Sequence, residues 1–137
     1  MDATTYLKKA GLKLTPVRLR MVEIFDAADH ALHQQEIESG FDGIDRITLY
    51  RTLKSFEEKG LIHKITDLDG NSKYAMCESE CLEHHHHHHH AHIHFQCDHC
   101  HLTYCVENVE IPNIEIPGKF LVTGQNITIT GKCENCQ

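Results

Sequence analysis

Cys97-Asp98-His99-Cys100 and Cys133-Glu134-Asn135-Cys136 place two CxxC pairs in the last third of a 137-residue chain. Each pair offers two sulfurs to one ion, and two pairs together close a tetrahedron of thiolates around a zinc. Such a clamp ties the C-terminus to the segment around residue 97 and leaves few ways to fold what lies between. The alternative, a redox dithiol, needs a βαβ surround that neither pair has. Seven cysteines, an odd number, and no apolar leader favour metal thiolates over a disulfide framework. No apolar run nears the roughly 20 residues of a membrane span. The expected setting is the cytoplasm, with no membrane partner.

The net charge of −7 is unevenly spread. Residues 1–76 carry 11 Lys and Arg against 12 Asp and Glu, whereas residues 77–137 carry only Lys119 and Lys132 against 8 acids. Phosphates respond to the field at the docked face, so this balance neither supports nor excludes a nucleic-acid partner.

The first half reads as helices. Thr15 can cap and Pro16 fits the first helical position, after which Val17, Met21, Ile24, Phe25 and Ala28 recur at helical spacing. A short helix opens at His33 or Gln34 and closes at Gly40. A longer one runs from about Asp45 to Gly60, with Leu49, Leu53 and Phe56 on its buried stripe. Residues 61–65 and 72–76 then alternate as two strands about the turn Asp67-Leu68-Asp69-Gly70-Asn71. Three helices followed by a two-stranded ribbon predict a winged helix-turn-helix; the competing arrangement is a helical bundle with an unrelated hairpin.

The second half reads as strands over His92–Cys97, Thr103–Glu107 and Ile127–Gly131, and Pro112 and Pro117 argue against a long helix between them. So small a sheet is marginal alone and would gain from the zinc clamp and from an oligomer interface.

On the helix from Asp45, Arg46, Tyr50, Arg51 and Lys54 point away from the apolar stripe at about 100° per residue. Such a face can enter a major groove, where Arg meets guanine or phosphate and Tyr meets thymine methyls or backbone. Lys13 and Arg18, flanking the helix start at Thr15-Pro16, could add phosphate contacts. On pattern alone, a solvated helix face fits these residues equally well.

Leu14-Thr15-Pro16-Val17-Arg18, Thr48-Leu49-Tyr50-Arg51-Thr52-Leu53, Gly60-Leu61-Ile62, and His92-x-His94-x-x-Cys97-x-x-Cys100 followed by Cys133-x-x-Cys136 resemble the ferric-uptake-regulator family, in order, over nearly the whole chain. The resemblance implies an α+β protein with an N-terminal winged helix-turn-helix and a small α/β dimerisation domain. It implies a metal-responsive repressor of metal-uptake genes that binds double-stranded DNA at a palindromic operator as a homodimer, with Tyr50 and Arg51 matching the family's recognition-helix pair. The expected divisions are 1–76 for DNA binding, 77–91 for a hinge with a His-rich loop, and 92–137 for metal binding and dimerisation. No acid or base sits by motif beside an open three-ligand metal site, so neither an enzyme nor a small-molecule substrate is expected.

Two metals are expected. Cys97, Cys100, Cys133 and Cys136 would hold a structural zinc. His63 on the first ribbon strand, Cys77 after the second, and His92 and His94 on one face of the next strand would hold a regulatory ion, with His90 and Cys105 in reserve. Imidazoles with a thiolate suit zinc. Gly60-Leu61-Ile62-His63-Lys64 and Tyr74-Ala75-Met76-Cys77 resemble the zinc-uptake regulators of the family more than the iron regulators. The N-terminal histidine of iron and peroxide sensors falls at Ala31 here, with His30 one step out of place. The carboxylate that often follows the first knuckle is Cys105. A second regulatory site is expected to be absent, since its positions are Ala91, Ile93 and Gln125. An iron, manganese or peroxide sensor remains an alternative. So does a zinc-buffering protein, for which the tract His84 to His90 is the motive; that tract could equally be a solvated loop.

Overall fold

The computed structural model describes residues 2–76, 93–106, 109, 112, 114–123 and 125–137. The chain divides into two compact units, Met1–His86 and His87–Gln137. The first contains α1 (Ala3–Lys9), α2 (Pro16–Ala27), β1 (Leu32–His33), α3 (Gln34–Ser39), α4 (Arg46–Glu58), β2 (Ile62–Thr66) and β3 (Ser72–Met76). The second contains β4 (Ile93–Cys97), β5 (Thr103–Val106), β6 (Ile127–Gly131) and a 3-10 turn at Glu134–Cys136.

Three helices of the first unit start on side-chain caps. Asp2 accepts from the Thr4 N–H, Thr15 from the Arg18 N–H with Pro16 following, and Asp45 from the Thr48 N–H. α4 stops where Gly60 takes φ 73, a left-handed angle that costs a residue with a Cβ. The core gathers Tyr6 and Leu7 of α1, Met21, Val22 and Phe25 of α2, Ile37 of α3, and Leu49, Leu53 and Phe56 of α4 over Leu32, Leu61 and Ile62. Burial of each large side chain there is worth about 1.5–3 kcal/mol relative to leaving it in water. The Tyr6 hydroxyl donates to the Leu61 carbonyl across 3.0 Å and ties α1 to the start of the sheet.

This unit departs from the expected three helices and two-stranded ribbon. It has a fourth helix, α1, and its sheet has three strands in the order β1-β3-β2. Leu32 and His33 are too short a run for a period to register. They form a strand because β3 offers a free edge, with Leu32 opposite Tyr74 and His33 opposite Lys73. At the β2–β3 turn Asp67 accepts the N–H groups of Asp69 and Asn71 and meets Lys73 at 3.1 Å, with both charged side chains buried.

The second sheet has the order β5-β4-β6. β5 runs antiparallel to β4, and β6 runs parallel to it with Cys97 opposite Gly131. A Cβ on Gly131 would lie 3.3 Å from the Phe95 ring, so glycine keeps the two strand ends close. The described residues of this unit hold strands and the 3-10 turn but no α-helix. The expected hinge, 77–91, lies outside the described residues.

Candidate metal centre and nucleic-acid interface

The parallel pairing of β4 and β6 brings the two CxxC pairs together. Both strands end on the same side of the sheet, β4 running into Cys97 and the turn to Cys100, β6 into Cys133 and the 3-10 turn to Cys136. The Asp98 N–H donates to the Gly131 carbonyl at 2.7 Å and locks the two exits. The four sulfurs all lie within 4.8 Å of one another, and Cys100 Sγ is 3.7 Å from Cys133 Sγ. A tetrahedron with Zn–S bonds of about 2.3 Å has edges of about 3.8 Å, so the spacing fits that ion.

One of the four sulfurs, Cys97, is poised as a thiolate. The N–H groups of Cys100, Cys133 and His99 each donate to Cys97 Sγ at 3.4 Å. Led by the Cys100 and Cys133 donors, they pull the Cys97 thiol down to about 5 against its burial. Cys136 is pushed up to about 12, first by Cys133 beside it, then by burial and by Cys97 and Cys100. Four sulfurs this close resist full ionisation until a cation neutralises them, which is the behaviour of a metal-ligand set.

The second set of expected ligands is only partly described. His94 is buried on β4 and stands directly opposite Cys105 on β5, with its ring and the Cys105 sulfur within 4.8 Å. His63 is half-buried on β2, opposite Ala75 in β3. Cys77, His90 and His92 lie outside the described residues. Cys105, held in reserve on sequence, is the one the sheet register aligns with His94.

α4 separates its faces as the period requires. Leu49, Thr52, Leu53 and Phe56 are buried, while Arg46, Tyr50, Arg51 and Lys54 are exposed. The Arg46 Nε approaches the Glu38 carboxylate at 3.7 Å, which draws it toward α3. Lys13 is exposed, and Arg18 is half-buried with a guanidinium N–H donating to the Lys13 carbonyl. Ile47, 60 % exposed on the same helix, was missed on sequence; the 100° step groups it with Arg51 and Lys54. Also missed was an open polar groove of about 560 Å³ between the starts of α3 and α4 and the β2–β3 turn, lined in part by Gln34, Glu38, Arg46, Asn71 and Ser72.

The sequence model of the Ferric uptake regulator family matches residues 9–130. The chain belongs to that family. Fur-family proteins are metal-responsive, dimeric DNA-binding regulators of transcription rather than enzymes. The ferric uptake regulation protein of Staphylococcus epidermidis is 34% identical over an alignment of 142 positions that takes in 99% of this chain and 94% of the relative. Solved structures share the fold, among them the following two. The ferric uptake regulator of Vibrio cholerae superposes with a TM-score of 0.62 at 22% identity, over 96% of this chain and 100% of that one. A zinc uptake regulator complexed with zinc and DNA gives 0.63 at 20% identity, over 98% of this chain and 89% of that one. Among the described residues no helix is long and apolar enough to cross a membrane.

Proposed function

We propose that this Fur-family chain is a zinc-responsive repressor that reads a palindromic operator as a homodimer and controls zinc-acquisition genes. The observation that carries the reading is the exposed face of α4, where Arg46, Tyr50, Arg51 and Lys54 stand clear of the Leu49–Leu53–Phe56 core. In this reading residues 1–76 form a winged helix-turn-helix with α4 as recognition helix and β2–β3 as wing. Lys13 and Arg18 add phosphate contacts. Residues 77–91 form the hinge, and 92–137 bind metal and dimerise.

Cys97, Cys100, Cys133 and Cys136 would hold a structural zinc that fixes the ends of β4 and β6. The exchangeable ion would take donors from His63, Cys77, His92 and His94, with Cys105 and His90 in reserve. The facing of His94 and Cys105 across β4–β5 supports a donor set containing sulfur, which favours zinc over iron or manganese. Bonds made only when the DNA-reading unit is correctly placed would bias the dimer toward operator spacing, a population shift. Phe120, Leu121 and Val122, 74%, 90% and 58% exposed, offer an apolar surface of the kind a dimer covers.

An iron-sensing reading has in its favour the ferric-uptake names of the curated relatives. Selection of duplexes from a random DNA pool by the full chain loaded with zinc, iron(II) or manganese(II) separates the two. Zinc alone enriching a palindrome supports zinc sensing, iron alone doing so establishes the iron reading, and no enrichment with any metal refutes DNA reading.

A further inference from the structure

α4 carries four positions opposite its core face. With Leu49, Thr52, Leu53 and Phe56 buried, the 100° step places Ile47, Arg51, Lys54 and, in the last turn, Glu58 at the outermost line of the helix, and Arg46 and Tyr50 toward one flank. Two of the four outermost residues, Arg51 and Lys54, are cations, and the acid, Glu58, lies at the far C-terminal end of the helix. The remaining one, Ile47, is a branched hydrocarbon 60 % exposed in the first turn of the helix. It adds little to the core from there, and its χ1 stiffness fixes where its methyl groups stand.

A helix that enters the major groove meets base edges with its N-terminal residues. The one apolar group the major groove presents is the C5-methyl of thymine. Resting on α4 as the reading helix, we infer that Ile47 is a specificity-determining residue that packs against thymine methyls in the operator half-site. Arg51, one turn on, and Lys54, two turns on, bracket it with charges that draw the helix against the phosphate-lined groove. The occupant is thus a duplex with thymine within reach of the first turn. A solvated Ile47 would be indifferent to the base opposite it.

The test replaces, one at a time, each thymine of a duplex selected by the zinc-loaded full chain with deoxyuridine, which lacks only the methyl. Wild type should lose about four-fold in affinity at one or two thymines per half-site, the worth of a buried methyl group. Ile47→Ala should be insensitive at those positions while keeping its sensitivity elsewhere, and Ile47→Val should retain the wild-type profile. Because Ile47 is exposed and Ala is the stronger helix former, both variants should fold. Sequence-selective binding with the same deoxyuridine profile in wild type and Ile47→Ala overturns the role of Ile47 and leaves α4 as the reading helix. Failure of wild type to select any duplex overturns both.

Discussion

Cys100 and Cys133 hold their sulfurs 3.7 Å apart although 33 positions separate them in the chain. The parallel register of β4 and β6 makes this possible, and an ion between the two pairs would make it stable. Cys133→Ser, or prolonged treatment with a strong chelator, should release a bound zinc detectable by elemental analysis. Hydrogen exchange should then show the amides of β4 and β6 losing protection while those of α2 and α4 keep theirs. Unchanged protection in β4 would mean that the sheet stands without the clamp.

The Asp67–Lys73 pair should behave as a buried ion pair. Lys73→Ala leaves a carboxylate without its cation and should cost about 3 kcal/mol, measured by urea unfolding of the first unit. The double replacement Asp67→Asn with Lys73→Met should cost far less. Burial alone would raise the Asp67 carboxyl, but the Asn71 N–H and the Lys73 ammonium outweigh it and hold the carboxyl below its ordinary 3.8. The contribution is therefore present above 3.8 and lost as pH falls through the lower folded value.

Long periodic helices and the knuckles are legible in the sequence, and the reasons are physical. α4 announces itself because Leu49, Leu53 and Phe56 repeat at helical spacing between an Asp45 cap and a Gly60 stop. β1 was hidden because two residues carry no period; only its partner β3 makes it a strand. α1 did leave a trace, an Asp2 cap followed by Ala3, Tyr6, Leu7 and Ala10 at helical spacing, but seven residues make a weak pattern. Cys105 could be flagged by type but not by place. Its alignment with His94 depends on the β4–β5 register, which the turn from Cys97 to Leu102 sets through the Cys97 N–H to the Leu102 carbonyl.

His30 should make the first unit sensitive to pH in the opposite sense from Asp67. Burial lowers its pKa, but hydrogen bonds to Asp29 at 2.8 Å and Glu36 at 3.2 Å win and raise it above its ordinary 6.5. The stabilisation is full below 6.5 and is lost as pH rises through the raised folded value. Glu36, which burial raises but the His33 N–H and His30 lower further, loses its share only as pH falls below its ordinary 4.5. His30→Ala should flatten the alkaline side of the unfolding free energy, read by urea titration at each pH, by about 0.5 kcal/mol, the scale of a partly exposed pair.

Leu121 is 90% exposed beside Phe120 and Val122, and burial of that segment between two copies would put it in a desolvated centre. Leu121→Asp should raise the dimer dissociation constant about 30-fold, the 2 kcal/mol scale of an interface hot spot. Sedimentation velocity reads the change. An unaltered dissociation constant would move the interface elsewhere on the second unit.

Zinc control of DNA reading is tested most directly by operator affinity as free zinc is titrated past the structural site, at constant salt. Wild type should tighten by at least about ten-fold, or 1.4 kcal/mol, over that second step. The variant lacking both His94 and Cys105 should keep its structural zinc and stay at the weak plateau. Equal affinity before and after the second step, or tightening that survives the loss of both residues, would contradict the proposed switch.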